Sequence, residues 1–540
     1  MPRHLVGGVG YRRQVSRCGR RLLLSLAAIL TLTACTATIP GTGRYGGDPS
    51  PVAASPSPSG TPAVPTISPL SFQDCTSVIA PQLGGEPGGN RPLTFLCGRL
   101  RVPLNYRAAS AKAIELFVIK VRLGGQQKRI GSLVVNPGGP GGSGLDAAVG
   151  LALTLPEDLL RRFDVVGFDP RGVGLSSPVE CIPDALKDRA IALDPDARTD
   201  AQYQTQVQLA REVSQTCLRK YGDDLQHYNT EETARDMDLV RQAVGDDLLT
   251  YLGYSYGTRL GSVYAQLFPK RIRAMVLDGA VDPLAGEVAA GEAQARGFEQ
   301  AFAQFAANCR ARGASCPIGP DARGSLLRLL TKARQSPIPA GAGESRRATA
   351  GHVLLAAISA LYDQGDWPKL ESAIAQGIGG NAAGVLTLAD RYAQRDPKGH
   401  YTNLLDANTA INCADSRDKV PDASVHQALS LWRQKYPLFG TSLALGLIGC
   451  QQWAAPRQPL PAVRAAGAPP LLVIGTVHDP ATPYASAQVL ARTLATGRLL
   501  TWNGEGHTAY PKTPCVTGAV DAYLISLQVP KTGATCARTG

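Results

Sequence analysis

The sequence predicts an α/β fold: a mostly parallel sheet whose strands alternate with helices, interrupted by one long helical insertion. Three observations carry this. Short runs rich in Val, Ile and Leu recur from about residue 93 onward, and several are continuously apolar, as strands covered on both faces are. Helical patterns lie between those runs, which is the alternation of a parallel sheet. One region, about 285 to 415, carries long Ala-, Leu- and Gln-rich stretches and no good strand.

The first seventy residues precede that fold. Arg12, Arg13, Arg17, Arg20 and Arg21 form a basic region, followed by the apolar run LLLSLAAILTL at 22–32. Eleven residues are too few for a stable span, so the run reads as the core of a secretory signal. LTAC then ends at Cys35 and resembles a bacterial lipobox, which implies cleavage before Cys35 and a lipid on its sulfur. Residues 36 to about 70 are dominated by Pro, Ser, Gly and Thr, a composition that buries no core and reads as an extended tether. The expected division is therefore signal 1–34, lipidated cysteine and tether 35–70, first core part 71–284, helical insertion 285–415 and C-terminal core part 416–540. The insertion suits a cap over a pocket, or more plainly a dimerisation surface.

Core strands are expected at LTFLCGRLRVPL, IELFVIKVRL, GSLVVN, FDVVGFD, LLTYLGYS, IRAMVLDG and PPLLVIGT, with a late strand at GRLLTW. Helices are expected at 230–245 and 257–269. Of a formal charge of +12, half comes from six arginines in residues 1–34, so a cleaved chain is only mildly basic. No arginine stripe, RNA-binding aromatic motif or zinc-finger spacing accompanies it, and no nucleic-acid partner is expected. Twelve cysteines include Cys18 and Cys35. The other ten, Cys75, Cys97, Cys181, Cys217, Cys309, Cys316, Cys413, Cys450, Cys515 and Cys536, are an even set that points to disulfides. Sequence leaves the pairing open; joining neighbours is the simplest choice. No C-x-x-C and no histidine at ligand spacing argues for a metal, and no cofactor motif is present.

The chemistry centres on Gly253-Tyr254-Ser255-Tyr256-Gly257. An apolar strand precedes it and a helix follows. At such a junction a serine is held on a tight turn at a helix N-terminus, with glycines where strand and helix nearly touch. A nucleophilic serine needs a base, and His507, the last histidine, lies in WNGEGHTAY after a late strand. The base needs an acid to fix its tautomer. Asp479, in VHDPATP after PPLLVIGT, is the expected acid, with Asp278 and Asp282 as rivals. His478 beside it reads as a loop residue. The Tyr256 N–H should supply one oxyanion donor. NPGGPGGSG at 136–144 should supply the second, from Gly139 with Gly138 as its neighbour, because Pro140 has no N–H. That loop lacks the Gly-Lys-Ser/Thr ending of a phosphate loop.

With NPGGPGGSG, FDVVGFDPRGVGLSSP, NTEETARDMDLVRQAVG, GYSYGTRLGSVYAQLFP, VLDGAVDP, AINCADS and GTVHDPATP in order over roughly residues 70–540, the chain resembles the secreted tripeptidyl aminopeptidases of actinobacteria. These are α/β-hydrolase serine peptidases similar to prolyl aminopeptidases. The resemblance implies the α/β-hydrolase fold with a helical cap, Ser255, Asp479 and His507 as the triad, and a peptide substrate. It places Cys413 and Asp415 near the pocket entrance, and Asp169 and Arg171 in a structural turn. An exopeptidase holds a free α-ammonium, which usually takes a carboxylate, and Asp415 and Glu505 are the candidates. The rival chemistry is an ester or lipid hydrolase at the cell envelope, run by the same residues on a membrane-tethered chain. A third expectation is a non-catalytic envelope binding protein on the same fold.

Overall fold

The computed structural model describes residues 65–83, 90–108, 112–341, 343–417 and 419–538. The signal, Cys35 and most of the tether lie outside the described residues. Among those described, ten strands form one sheet in the order β1-β2-β3-β5-β4-β6-β7-β10-β11-β12. They are β1 (Gln73–Asp74), β2 (Leu93–Pro103), β3 (Ala113–Leu123), β4 (Gly131–Asn136), β5 (Phe163–Phe168), β6 (Leu249–Tyr254), β7 (Ile272–Asp278), β10 (Leu471–His478), β11 (Gly497–Glu505) and β12 (Ala534–Cys536). A separate two-stranded ribbon pairs β8 (Ile338–Pro339) with β9 (Arg347–Ala348).

β1, β2, β3 and β5 pair antiparallel, and every pairing from β5 through β4 to β12 is parallel. The central strands β4, β5 and β6 are buried along their whole length, which is why they read as largely apolar runs. Apolar clusters cover the two faces: Leu133, Val135, Leu252 and Ile474 on one, Val134, Tyr251, Met275 and Val473 on the other. In the parallel register Asn136 stands opposite Gly253, and Tyr254 opposite Asp278. The C-terminal ends of β4, β6, β7, β10 and β11 are thereby aligned at one edge, where open parallel sheets place their ligands.

The helical insertion between β7 and β10 is longer than the sequence suggested. Helices run from Glu287–Arg312 through Leu404–Asp415 and Asp422–Lys435 to Ile448–Gln451, past the expected limit of 415. Most of them share a core of their own around Phe298, Phe302, Phe305, Trp367 and Phe439, whereas the helix Leu404–Asp415 packs through Ala407 and Ile411 with the cluster on one face of the sheet. Tyr203 and Val207 join the insertion's core from the helix Asp200–Tyr221, which precedes β6 in the chain. The tether also ends earlier than residue 70. Ile67 N–H donates to Gln242 Oε1 at 3.1 Å and Leu70 N–H to the Ala243 carbonyl at 2.8 Å, so these residues pack on the body.

Among the described residues, five disulfides join neighbouring cysteines: Cys75–Cys97, Cys181–Cys217, Cys309–Cys316, Cys413–Cys450 and Cys515–Cys536. Among the described residues, no helix is long and apolar enough to cross a membrane.

Candidate active site

Ser255 sits between the last residue of β6 and the first of the helix Tyr256–Leu267, with φ 55° and ψ −123°. A non-glycine residue at positive φ is strained, and it is held there by its surroundings. Its N–H donates to the Asp278 carbonyl at 2.9 Å. The two flanking glycines are obligatory on steric grounds. A Cβ on Gly253 would stand 2.5 Å from the Gly257 carbonyl oxygen, and one on Gly257 would stand 2.9 Å from Asn136 O. The turn leaves Ser255 at the N-terminus of a twelve-residue helix, where partial positive charge favours an anion.

The base and acid candidates meet. His507 Nδ1 lies 3.0 and 2.9 Å from the two carboxylate oxygens of Asp479. Asp479 is itself oriented by the N–H groups of Ala481 and Thr482 and by the Thr482 hydroxyl. With Nδ1 facing a carboxylate, the ring proton belongs there, and Nε2 is the basic nitrogen. Nε2 is buried and has no hydrogen-bond partner among the described residues. His507 and Ser255 flank the same turn: Ser255 is bonded to Asp278, and a Cβ on the next residue, Gly279, would lie 3.0 Å from His507 Cε1.

The rival carboxylates are engaged elsewhere. Asp278 accepts from the Ala509 and Tyr510 N–H groups and so ties down the chain just after His507. Burial pushes its carboxyl up to about 6, against the lowering effect of those N–H groups. Asp282 caps the N–H groups of Leu284 and Ala285. His478 Nδ1 lies 3.0 Å from Glu505 Oε1, and Arg538 approaches the same oxygen at 3.2 Å. Asp415 is buried and accepts from both the N–H and the hydroxyl of Thr230. Desolvation pushes its carboxyl up to about 6. Both carboxylates named as ammonium partners therefore hold protein groups.

The glycine loop after β4 reaches the serine. Gly138 has φ 94°, and a Cβ there would lie 2.9 Å from Ser255 Cβ and 3.0 Å from Tyr256 N. The Gly138 N–H is taken by Asn136 Oδ1 at 3.0 Å, while the Gly139 N–H has no acceptor among the described residues. Asp169 accepts from Ser143 Oγ and from the Leu145 and Leu175 N–H groups. Arg171 is fully buried and is held by Asp236 and three carbonyls, so both belong to the framework beneath the loop.

Several contributors carried no sequence signal. Tyr362, on the insertion, accepts the His507 N–H at 2.8 Å and packs edge-on to the imidazole. Gln294 Nε2 bonds the Ala481 carbonyl beside the acid. Asn408 Nδ2 donates to the Pro140 carbonyl in the glycine loop, and Thr230 Oγ1 lies 2.5 Å from the Tyr256 hydroxyl. Thr482 stood inside a quoted motif, but its link to Asp479 shows only in three dimensions.

The sheet order, the strained serine turn and the helical insertion define an α/β-hydrolase of the serine hydrolase class. Over 470 residues, 83% of this chain and 88% of the relative, the sequence is 40% identical to serine protease Hip1 of Mycobacterium tuberculosis. It is 38% identical over 492 residues (88% and 92%) to carboxylesterase B of Mycobacterium tuberculosis. It is 30% identical over 462 residues (83% and 84%) to the tripeptidyl aminopeptidase of Streptomyces lividans. Residues 436–536 match the family described as TAP-like protein. The chain belongs to this family of tripeptidyl-aminopeptidase-like serine peptidases.

Proposed function

We propose that the protein is an exported aminopeptidase that releases short peptides, of tripeptidyl or prolyl type, from free N-termini through an acyl-enzyme. The observation that carries this is a strained Ser255 beside the same turn as a His507 whose Nδ1 is held by Asp479 and whose buried Nε2 makes no hydrogen bond among the described residues. Ser255 Oγ attacks the scissile carbonyl while His507 Nε2 takes its proton. Asp479 stabilises the imidazolium, and the Gly139 and Tyr256 N–H groups receive the oxyanion. His507 then protonates the departing amine, and water, activated by the same nitrogen, hydrolyses the ester on Ser255. None of these steps calls for a metal or cofactor. The aminopeptidase specificity is supported by the Streptomyces relative.

A second reading, an envelope carboxylesterase, is favoured by the 38% identical relative of that name. The test is a fluorophosphonate probe with a free-amine tripeptide anilide, its N-blocked form and a p-nitrophenyl ester. Labelling lost in Ser255→Ala, with cleavage of the free-amine peptide alone, supports the aminopeptidase. Ester turnover alone moves the assignment to the esterase, and labelling that survives Ser255→Ala sinks both. Lipidation at Cys35 is part of the proposal, supported by the LTAC motif. The full chain should partition into detergent and Cys35→Ala into water.

A further inference from the structure

The helix Leu404–Asp415 belongs to the insertion, yet it bonds both to the glycine loop that approaches Ser255 and to Thr230, which meets Tyr256. On one side Asn408 Nδ2 donates to the Pro140 carbonyl at 3.0 Å. The amide is fixed in that sense because its Oδ1 accepts from Asn412 Nδ2 at 3.1 Å. The loop can approach so closely because residue 141 is glycine: at φ 100° a Cβ there would lie 2.7 Å from the Leu404 carbonyl oxygen. The bond to Pro140 holds the Pro140–Gly141 peptide, two planes past the one that carries the Gly139 N–H. On the other side Asp415 Oδ1 accepts the Thr230 N–H at 2.9 Å, and Oδ2 accepts the Thr230 hydroxyl at 2.5 Å. Thr230 Oγ1 in turn lies 2.5 Å from the Tyr256 hydroxyl. With its own proton committed to the carboxylate, Thr230 is the acceptor, so the order of donation is Tyr256 to Thr230 to Asp415. Tyr256 is buried and opens the helix behind Ser255, so a pinned phenol fixes where its backbone starts.

The helix is tied to its neighbours at both ends. Asp406 accepts from the N–H groups of Cys181 and Ile182 and pairs with the buried Lys187 at 2.7 Å. Cys413 is bridged to Cys450. We propose that this helix sets the oxyanion hole, with Asn408 and Asp415 as positioning residues: Asn408 locates the Gly139 loop, and Asp415, through Thr230, locates Tyr256. The proposal rests on the assignment of the Gly139 and Tyr256 N–H groups as oxyanion donors. A donor in such a hole is worth about 10²–10³ in kcat, and a displacement of about 1 Å forfeits much of that.

The test uses the full chain with Asn408→Ala, Asp415→Asn, Thr230→Val and Thr230→Ser. A free-amine peptide anilide, a p-nitrophenyl ester and the rate of fluorophosphonate labelling are the readouts. Thr230→Val, Asp415→Asn and Asn408→Ala should each lower kcat by roughly tenfold to a hundredfold on both substrates, leave KM within about twofold and slow labelling equally. Thr230→Ser, which keeps the hydroxyl, should recover to within about threefold of the parent. If Asn408→Ala or Asp415→Asn does not fold, the near-isosteric Thr230 pair decides alone. A raised KM for the free-amine peptide, with ester turnover and labelling unchanged, overturns the proposal and gives Asp415 to the substrate ammonium. Equal kcat in Thr230→Val and Thr230→Ser also overturns it. A parent enzyme that labels elsewhere than Ser255 defeats the functional assignment instead.

Discussion

Tyr362 holds His507 twice: its carbonyl accepts the histidine N–H at 2.8 Å, and its ring stands edge-on to the imidazole with centroids 5.2 Å apart and planes at 83°. A residue of the insertion thus forms one wall of the imidazole's seat. Tyr362→Ala should destabilise the protein by about 3–5 kcal/mol, as buried aromatic truncations do, and lower kcat. Tyr362→Phe keeps both the wall and the main-chain bond and should keep kcat within about threefold. Calorimetry and steady-state kinetics on the pair check this.

Asp479 faces Nδ1 of His507 with both carboxylate oxygens. In Asp479→Asn the amide N–H₂ can sit against Nδ1 and leave the ring proton on Nε2, the nitrogen that has to accept. The loss in kcat should be about 10³–10⁴-fold with little change in melting temperature. A loss of less than tenfold would remove Asp479 from the role of acid.

Gly144 and Gly167 let the helix Gly144–Thr154 lie directly on β5: a Cβ on Gly144 would sit 1.9 Å from the Phe168 carbonyl oxygen. Gly144→Ala should cost more than about 3 kcal/mol or prevent folding, because backbone has to move. Gly518, on the helix Pro514–Ser526, meets nothing within 4 Å. Gly518→Ala should stabilise by about 0.5–1 kcal/mol. Urea denaturation of the two variants gives opposite signs if the contact is as described.

Asp278 has a carboxyl raised from 3.8 to about 6, chiefly by burial. Its ionisation therefore favours the unfolded chain. The parent's stability from this group is fully present below about pH 4 and is lost as pH rises to about 6, a change of about 3 kcal/mol. Asp278→Asn cannot ionise and lacks that term. The variant's deficit against the parent should be largest below pH 4, shrink as pH rises to about 6 and level off above it. Denaturation at several pH values measures it, and a deficit that grows with pH contradicts the assignment.

The sheet was legible because β4, β5 and β6 are buried along their length and so are largely apolar, with only isolated polar residues such as Ser132, Asp164 and Thr250. The tight turn at Ser255 was legible because its steric demands fix glycines at both flanks. The supports were not. Asp415 attracted notice as a carboxylate, but its partner Thr230 lies 185 residues upstream. Asn408 acts on a carbonyl 268 residues away, and nothing local distinguishes it from an ordinary helical asparagine. The role of the helix Asp200–Tyr221 in the insertion's core was hidden for a similar reason: its apolar side reads as packing, with no mark of which domain it packs on.

The five crosslinks carry a consequence for assembly. From Cys75 onward each cysteine is joined to the next one along the chain, so the bridges resemble parentheses that are shut before another pair opens. A polypeptide delivered one end first into an oxidising space can complete each bond from the two thiols that arrived most recently. No sulfur has to wait unpaired for a distant mate, and native connectivity is reached by vectorial arrival, without a search among all possible partners.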